Sequence, residues 1–356
     1  MNFFKCVSKT KAALIWVGVL SFISGLFIFS TECKDGATNG VLLCLGVLVP
    51  SLFPFFILSS FLAESEILDC LSPVLNPAAK LILGTRGICL VPVILGVVGG
   101  YPVGARAISA LYAKGSIDKN EADRLSCICC SAGPGFLVTF VGVSLLNSKE
   151  AGIILLSSQI ISIAVLCVLS RFIFGKGETN NEKPLNKPKT SVSEVLVSSV
   201  NSAVKSAAGM CGFVIAFSVI CNVLTEGFGV SNALGKIFIS TLEITTGVSM
   251  ISGEVSLELL SALTGFGGIC VHLQIFRELK GVEFSKVRFY IFRLIQCGIS
   301  LVSAKLLLLV FPVTEEVFST ISKPPEVTFY SGIVGCVALV VTSVIFIIAL
   351  RNKQLS

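Results

Sequence analysis

The apolar run that begins near Ile88 ends at Gly99-Gly100-Tyr101-Pro102, and within four residues it loses side-chain packing and a backbone donor. In a bilayer, the backbone groups freed by such a break must be satisfied by protein or by something bound. A second interruption lies at Gly265-Phe266-Gly267-Gly268. The pieces that follow the two breaks end in Lys114-Gly115 and Lys280-Gly281. Laying GVVGGYPVGARAISALYAKG over ALTGFGGICVHLQIFRELKG puts Gly99 on Gly265, Arg106 on His272 and Lys114 on Lys280. Interrupted helices at corresponding places in two halves point to a midplane site between internal repeats. The competing reading is that the glycines mark seams of close helix packing and nothing more.

A membrane setting follows from the surrounding composition. Hydrophobic residues make up 54% of the 356 and charged ones 13%, with mean hydropathy +0.92, against the roughly 25% charge of soluble domains. Several runs reach the roughly 20 residues of a spanning helix, and none alternates with the two-residue period of a barrel strand. The expected fold is all-α, a polytopic transmembrane bundle of about 8–10 hydrophobic segments in two repeat-like halves with interrupted helices. The lipid bilayer is thus a partner. The net charge of +6 sits in loops and at helix ends, which reads as topology and not as nucleic-acid binding.

Most of the fourteen cysteines lie singly inside apolar runs, as at Cys44, Cys167, Cys221, Cys297 and Cys336, and read as small core residues. Cys127, Cys129 and Cys130 include a C-x-x-C spacing, but no second pair lies nearby and the chain has one histidine. No metal or other cofactor is expected.

The chain divides at its polar stretches. Residues 1–38 read as an anchor, with Lys5, Lys9 and Lys11 before a retained helix over 12–30 and a polar turn over 31–38. Residues 39–174 form a first membrane half, kinked at Pro50 and Pro54 and broken again at Ser131-Ala132-Gly133-Pro134, with Asp118 as a helix N-cap. The hydrophilic linker is 175–190. Residues 191–356 form the second half, ending in a span over 331–350 before Arg351 and Lys353, which point to a cytoplasmic C-terminus.

The candidate substrate-binding residues are Gly99, Gly100, Tyr101, Pro102, Gly104, Arg106, Gly133, Pro134, Gly265, Phe266, Gly267, Gly268, His272 and Gln274. Arg106, near the start of the helix after the first break, suits an anion held at that N-terminus. The alternatives are that it snorkels to a headgroup or pairs with a local acid such as Asp123. His272 and Gln274 either bind the polar part of a solute or are packed side chains, and Tyr101 and Phe266 either stack on a flat ring or fill space. Cysteines placed at Val103 and Ile269 are expected to react from an aqueous cavity. Glu243, inside an apolar run, costs about 2.5–3.5 kcal/mol to insert. It therefore couples transport to a proton or cation, caps a broken helix through Thr245 and Thr246, or sits at the interface. Nucleotide-loop, H-E-x-x-H and G-x-S-x-G patterns are absent from the sequence, and an enzyme is not expected.

The ordered set VPSLFPFFILSSFL, GGYPVGA, KGSIDKNEADRL, SAGPGF, LEITTG and LTGFGGICVHLQ resembles the sporulation integral membrane protein YlbJ family, which carries the nucleoside-recognition or Gate domain. The resemblance implies a role in endospore formation at the outer forespore membrane, moving the small aromatic dicarboxylate dipicolinic acid. It leaves open a nucleoside-type permease and a non-transporting structural protein of the spore envelope. Further copies of the chain or other sporulation membrane proteins are the implied protein partners.

Overall fold

The computed structural model describes residues 16–18, 20, 23–65, 67–175 and 191–313. Residues 12–15, 19, 21 and 22 of the first expected helix, residues 176–190 of the linker, the last span and Cys336 lie outside the described residues. Among the described residues there is no strand. Among the described residues five helices are long and apolar enough to cross a membrane, or six if Ser72–Ile82 and Gly87–Gly99, bent by 80°, count as one.

In chain order, α1 (Ser30–Leu43) continues through a π turn into α2 (Val49–Glu64), and α3 (Ile67–Ile82) follows. Next come α4 (Leu90–Gly99), α5 (Tyr101–Ala113) and α6 (Lys119–Ile128), then a π-helical stretch Gly135–Leu145 and α7 (Lys149–Phe174). The second half holds α8 (Val192–Asn222), α9 (Ala233–Leu242), α10 (Ile244–Ile251), α11 (Leu257–Phe266), α12 (Gly268–Glu278) and α13 (Lys286–Val310). The polar turn expected over 31–38 is instead part of α1. Gly36 and Gly40, one turn apart, bring its backbone against α8, and a Cβ at Gly36 would lie 2.8 Å from the Val219 Cα. Asn222 of α8 also donates to the Glu32 carbonyl at 2.8 Å. Tertiary packing thereby keeps a polar stretch helical.

Two of the breaks make hairpins and two interrupt helices that carry on. The arms α4 and α5 fold back on each other, so a Cβ at Gly104 would come within 3.0 Å of the Gly96 Cα. The arms α9 and α10 do the same, with Ser240 against Gly247. By contrast, α6 passes through 129–134 into Gly135–Leu145, and α11 with α12 forms one interrupted span, Leu257–Glu278. The overlay of the first break on the second therefore pairs unlike elements. Gly99–Pro102 lies at a hairpin tip, and its geometric counterpart is Glu243, whereas Gly265–Gly268 corresponds to Ser131–Pro134.

Charged contacts fix which ends lie together. Lys119 pairs with Glu283, Arg288 pairs with Asp123 at 2.5 Å, and the Ser285 N–H donates to Asp123 at 2.8 Å. Arg124 bonds the Leu83 carbonyl and, at 3.0 Å, Ser170. These contacts gather the outer ends of the α4–α5 hairpin, the start of α6, the end of α7 and the α12–α13 connection on one lysine- and arginine-rich face. At the other face Lys236 pairs with Glu254 at 2.6 Å, tying the outer ends of the α9–α10 hairpin. The two hairpins thus enter from opposite faces. Asp118 caps α6 as expected, in a reciprocal capping box with Glu121 (2.8 and 3.0 Å).

Candidate functional site

Local chemistry makes each break, and packing brings all four together. Gly100 sits at φ +92°, and Gly267 sits at φ +89° with a left-handed backbone, a region that a residue with a Cβ enters at a cost of about 1–2 kcal/mol. A Cβ on Gly133 would meet the Gly100 nitrogen at 3.0 Å, so the breaks at 100 and 133 touch through bare backbone. The Tyr101 hydroxyl donates to the Thr264 carbonyl, and a Cβ on Gly267 would lie 3.1 Å from the Tyr101 ring. Gly268 in turn approaches the Ile244 nitrogen, where a Cβ would be 3.3 Å away.

Between them lies a small cavity of about 40 Å³, walled by Leu48, Ser51 and Leu52 of the α1–α2 helix, Gly100–Pro102, Gly133, Phe136, Met210, Val214, Glu243–Thr245, Val271 and Gln274. It has room for a few water molecules, and its wall is mostly apolar with a few polar groups, as in small-molecule sites. Glu243 is 1% exposed and is the one charged side chain among the described lining residues. It is the N-cap of α10, accepting from the Thr245 N–H at 3.0 Å and the Thr246 N–H at 2.5 Å. The capping alternative is therefore what the geometry contains, with the carboxylate also on the cavity wall.

Of the expected substrate-binding residues, Gly100, Tyr101, Pro102, Gly133 and Gln274 line the cavity and the others do not. Gly99 lies against Val103 and Phe55, Gly104 against the hairpin's other arm and Gly265 against Ser300. Pro134 begins the helical stretch beyond the cavity, and Phe266, Gly267 and Gly268 form the back of the second break. His272 is buried; its Nε2 lies 2.8 Å from the Phe266 carbonyl and its ring meets Phe266, Phe289 and Tyr290 edge-on, the packed alternative. Arg106 faces away from the cavity. It pairs with Glu278 and not with Asp123, whose partner is Arg288. Val103 is fully buried and Ile269 is off the cavity, so neither position tests it. The cysteines Cys44, Cys167 and Cys221 are buried as expected, while Cys297 is half-buried.

Sequence reasoning missed Ser51, Met210, Val214 and Thr245 as wall residues, and it missed Arg293 altogether. Arg293 is fully buried and donates to the Cys127 carbonyl and, at 2.6 Å, to the Cys130 carbonyl. It thus satisfies the end of α6 where that helix breaks. Cys127 and Cys130 contribute carbonyls there. The signal was present: Arg293, Gln296 and Ser300 form a polar stripe at helical spacing in an apolar run. Gln296 continues it, donating to Gln159 at 3.2 Å, which donates to the Ser261 carbonyl at 3.0 Å and so holds α7, α11 and α13 behind the second break.

Residues 45–173, which contain the α4–α5 hairpin and the break at 133, match the Gate family, described as nucleoside recognition. Over 332 residues the chain is also 26% identical to the sporulation integral membrane protein YlbJ of Bacillus subtilis (strain 168), covering 82% of this chain and 81% of that protein. No solved structure matches the chain. The resemblance read from the motifs is therefore borne out, and the protein is an integral membrane protein similar to YlbJ over most of its length.

Proposed function

We propose that this protein is a sporulation membrane transporter that binds its solute in the cavity where the four helix breaks meet, and that the solute is dipicolinate, carried across the outer forespore membrane. The convergence of two opposed hairpin tips and two interrupted spans on one cavity supports the transport reading, since unwound backbone at membrane depth survives beside protein or water. The substrate comes from the similarity to a sporulation protein. Glu243 acts as the coupling group: a dicarboxylate beside a carboxylate in a low-dielectric cavity is repelled unless a proton or cation is held between them.

One observation favours a second reading. The lining carries an amide, hydroxyls and one carboxylate, with no lysine or arginine among the described wall residues, which suits a neutral polar solute such as a nucleoside. Proteoliposomes of the purified protein separate the two. Labelled dipicolinate should cross faster than in empty liposomes and be insensitive to excess nucleoside. Flux of nucleoside alone would establish the second reading, and flux of neither would leave the structural role.

A further inference from the structure

Four of the helices that line the cavity, α2, α5, α8 and α12, carry a polar group one or two turns nearer the basic face. On α5, Arg106 follows the wall residue Pro102 by four positions; on α12, Glu278 follows Gln274 by four; on α8, Ser206 precedes Met210 by four. A spacing of four places each pair on one helix face. Two turns beyond Leu52 on α2 lies Ser60.

These four residues bond to one another. Arg106 donates to Ser60 Oγ at 2.7 Å, to the Ser202 carbonyl at 3.0 Å and to Ser206 Oγ. Ser206 donates to both Glu278 carboxylate oxygens at 3.1 Å, and Arg106 lies 3.8 Å from Glu278. Both charged side chains are largely buried. Arg277 flanks the cluster, 3.7 Å from Glu278 and anchored on the Lys205 carbonyl at 2.7 Å. The pair joins the α4–α5 hairpin of the first half to the interrupted span of the second, the elements that must separate for the cavity to open on this side.

We infer that the Arg106–Glu278 pair, bridged by Ser206, is the gate that closes the cavity toward the basic face. The inference rests on the transport reading. A buried ion pair suits the task, because its attraction is offset by desolvation and water restores both charges once they part.

The test is a cysteine at Met210 on the cavity wall, with the reactive native cysteines replaced, labelled by a membrane-impermeant maleimide in vesicles of each orientation. Glu278→Gln and Arg106→Gln should each raise labelling from the basic face about fivefold and leave the other face unchanged. The charge exchange Arg106→Glu with Glu278→Arg should return it toward the parent rate. Should either single variant fail to insert, Ser206→Ala, which removes only a hydroxyl, should still raise the rate about twofold. Unchanged labelling in the variants that insert, an equal rise from both faces, or an exchange variant as leaky as its parents would overturn the gate. Labelling needs no solute, so failure of the transport reading, seen as absent flux in proteoliposomes, is distinguished from failure of the gate.

Discussion

The two hairpin tips face one cavity from opposite sides and are finished by opposite chemistry. At the tip of α4–α5, Gly100 has no side chain to offer, and α5 begins with no side-chain cap beside the bare backbone of Gly133. At the tip of α9–α10, Glu243 closes the N-terminus of α10 with its own carboxylate. One tip thus shows the positive end of a helix to the cavity, and the other neutralises it from within. The same geometry is divided between a place where charge can be received and a place where charge is already held.

The largest expected effect comes from destroying the bare tip. Gly100→Leu combines a strained backbone at φ +92° with a side chain pressed on Gly133 and Leu52. Flux should fall on the order of tenfold or more at equal membrane abundance, with Gly267→Leu following for the same reason beside Tyr101. Next is the capped tip. Thr245 and Thr246 donate to different carboxylate oxygens, so Glu243→Gln keeps an acceptor for only one of the two N–H groups and stability should drop by about 1–3 kcal/mol. Transport should be lost or become independent of the coupling ion; normal flux from pH 5 to 8 would remove the coupling role and make the two tips functionally alike.

Arg293→Lys sharpens the contrast between tips and supports. It exchanges a fork that reaches two carbonyls for a single ammonium, and should cost about 1–3 kcal/mol of thermal stability in detergent with the solute affinity of the folded fraction unchanged. Tyr101→Phe removes one bond to Thr264, a loss of about 1 kcal/mol. The smallest effect is a null one: a cysteine at Val103 should stay unlabelled by an aqueous reagent while one at Ser51 reacts, because only Ser51 borders the cavity.

By itself the sequence determined the membrane class, the places where helices stop, the cap at Asp118 and the singular position of Glu243. Each of these depends on local chemistry: apolar run length, the φ freedom of glycine, the missing donor of proline, the cost of a carboxylate in lipid. Only the tertiary structure decided the rest. Arg106 found Glu278 and not Asp123, residues 31–38 stayed helical against α8, and the first break proved to be a hairpin tip whereas Gly265–Gly268 interrupts a single span. A bilayer satisfies backbone within each helix and so makes helices legible one at a time, but which helices then become neighbours depends on small-residue contacts and long-range polar pairs whose partners lie up to half the chain apart.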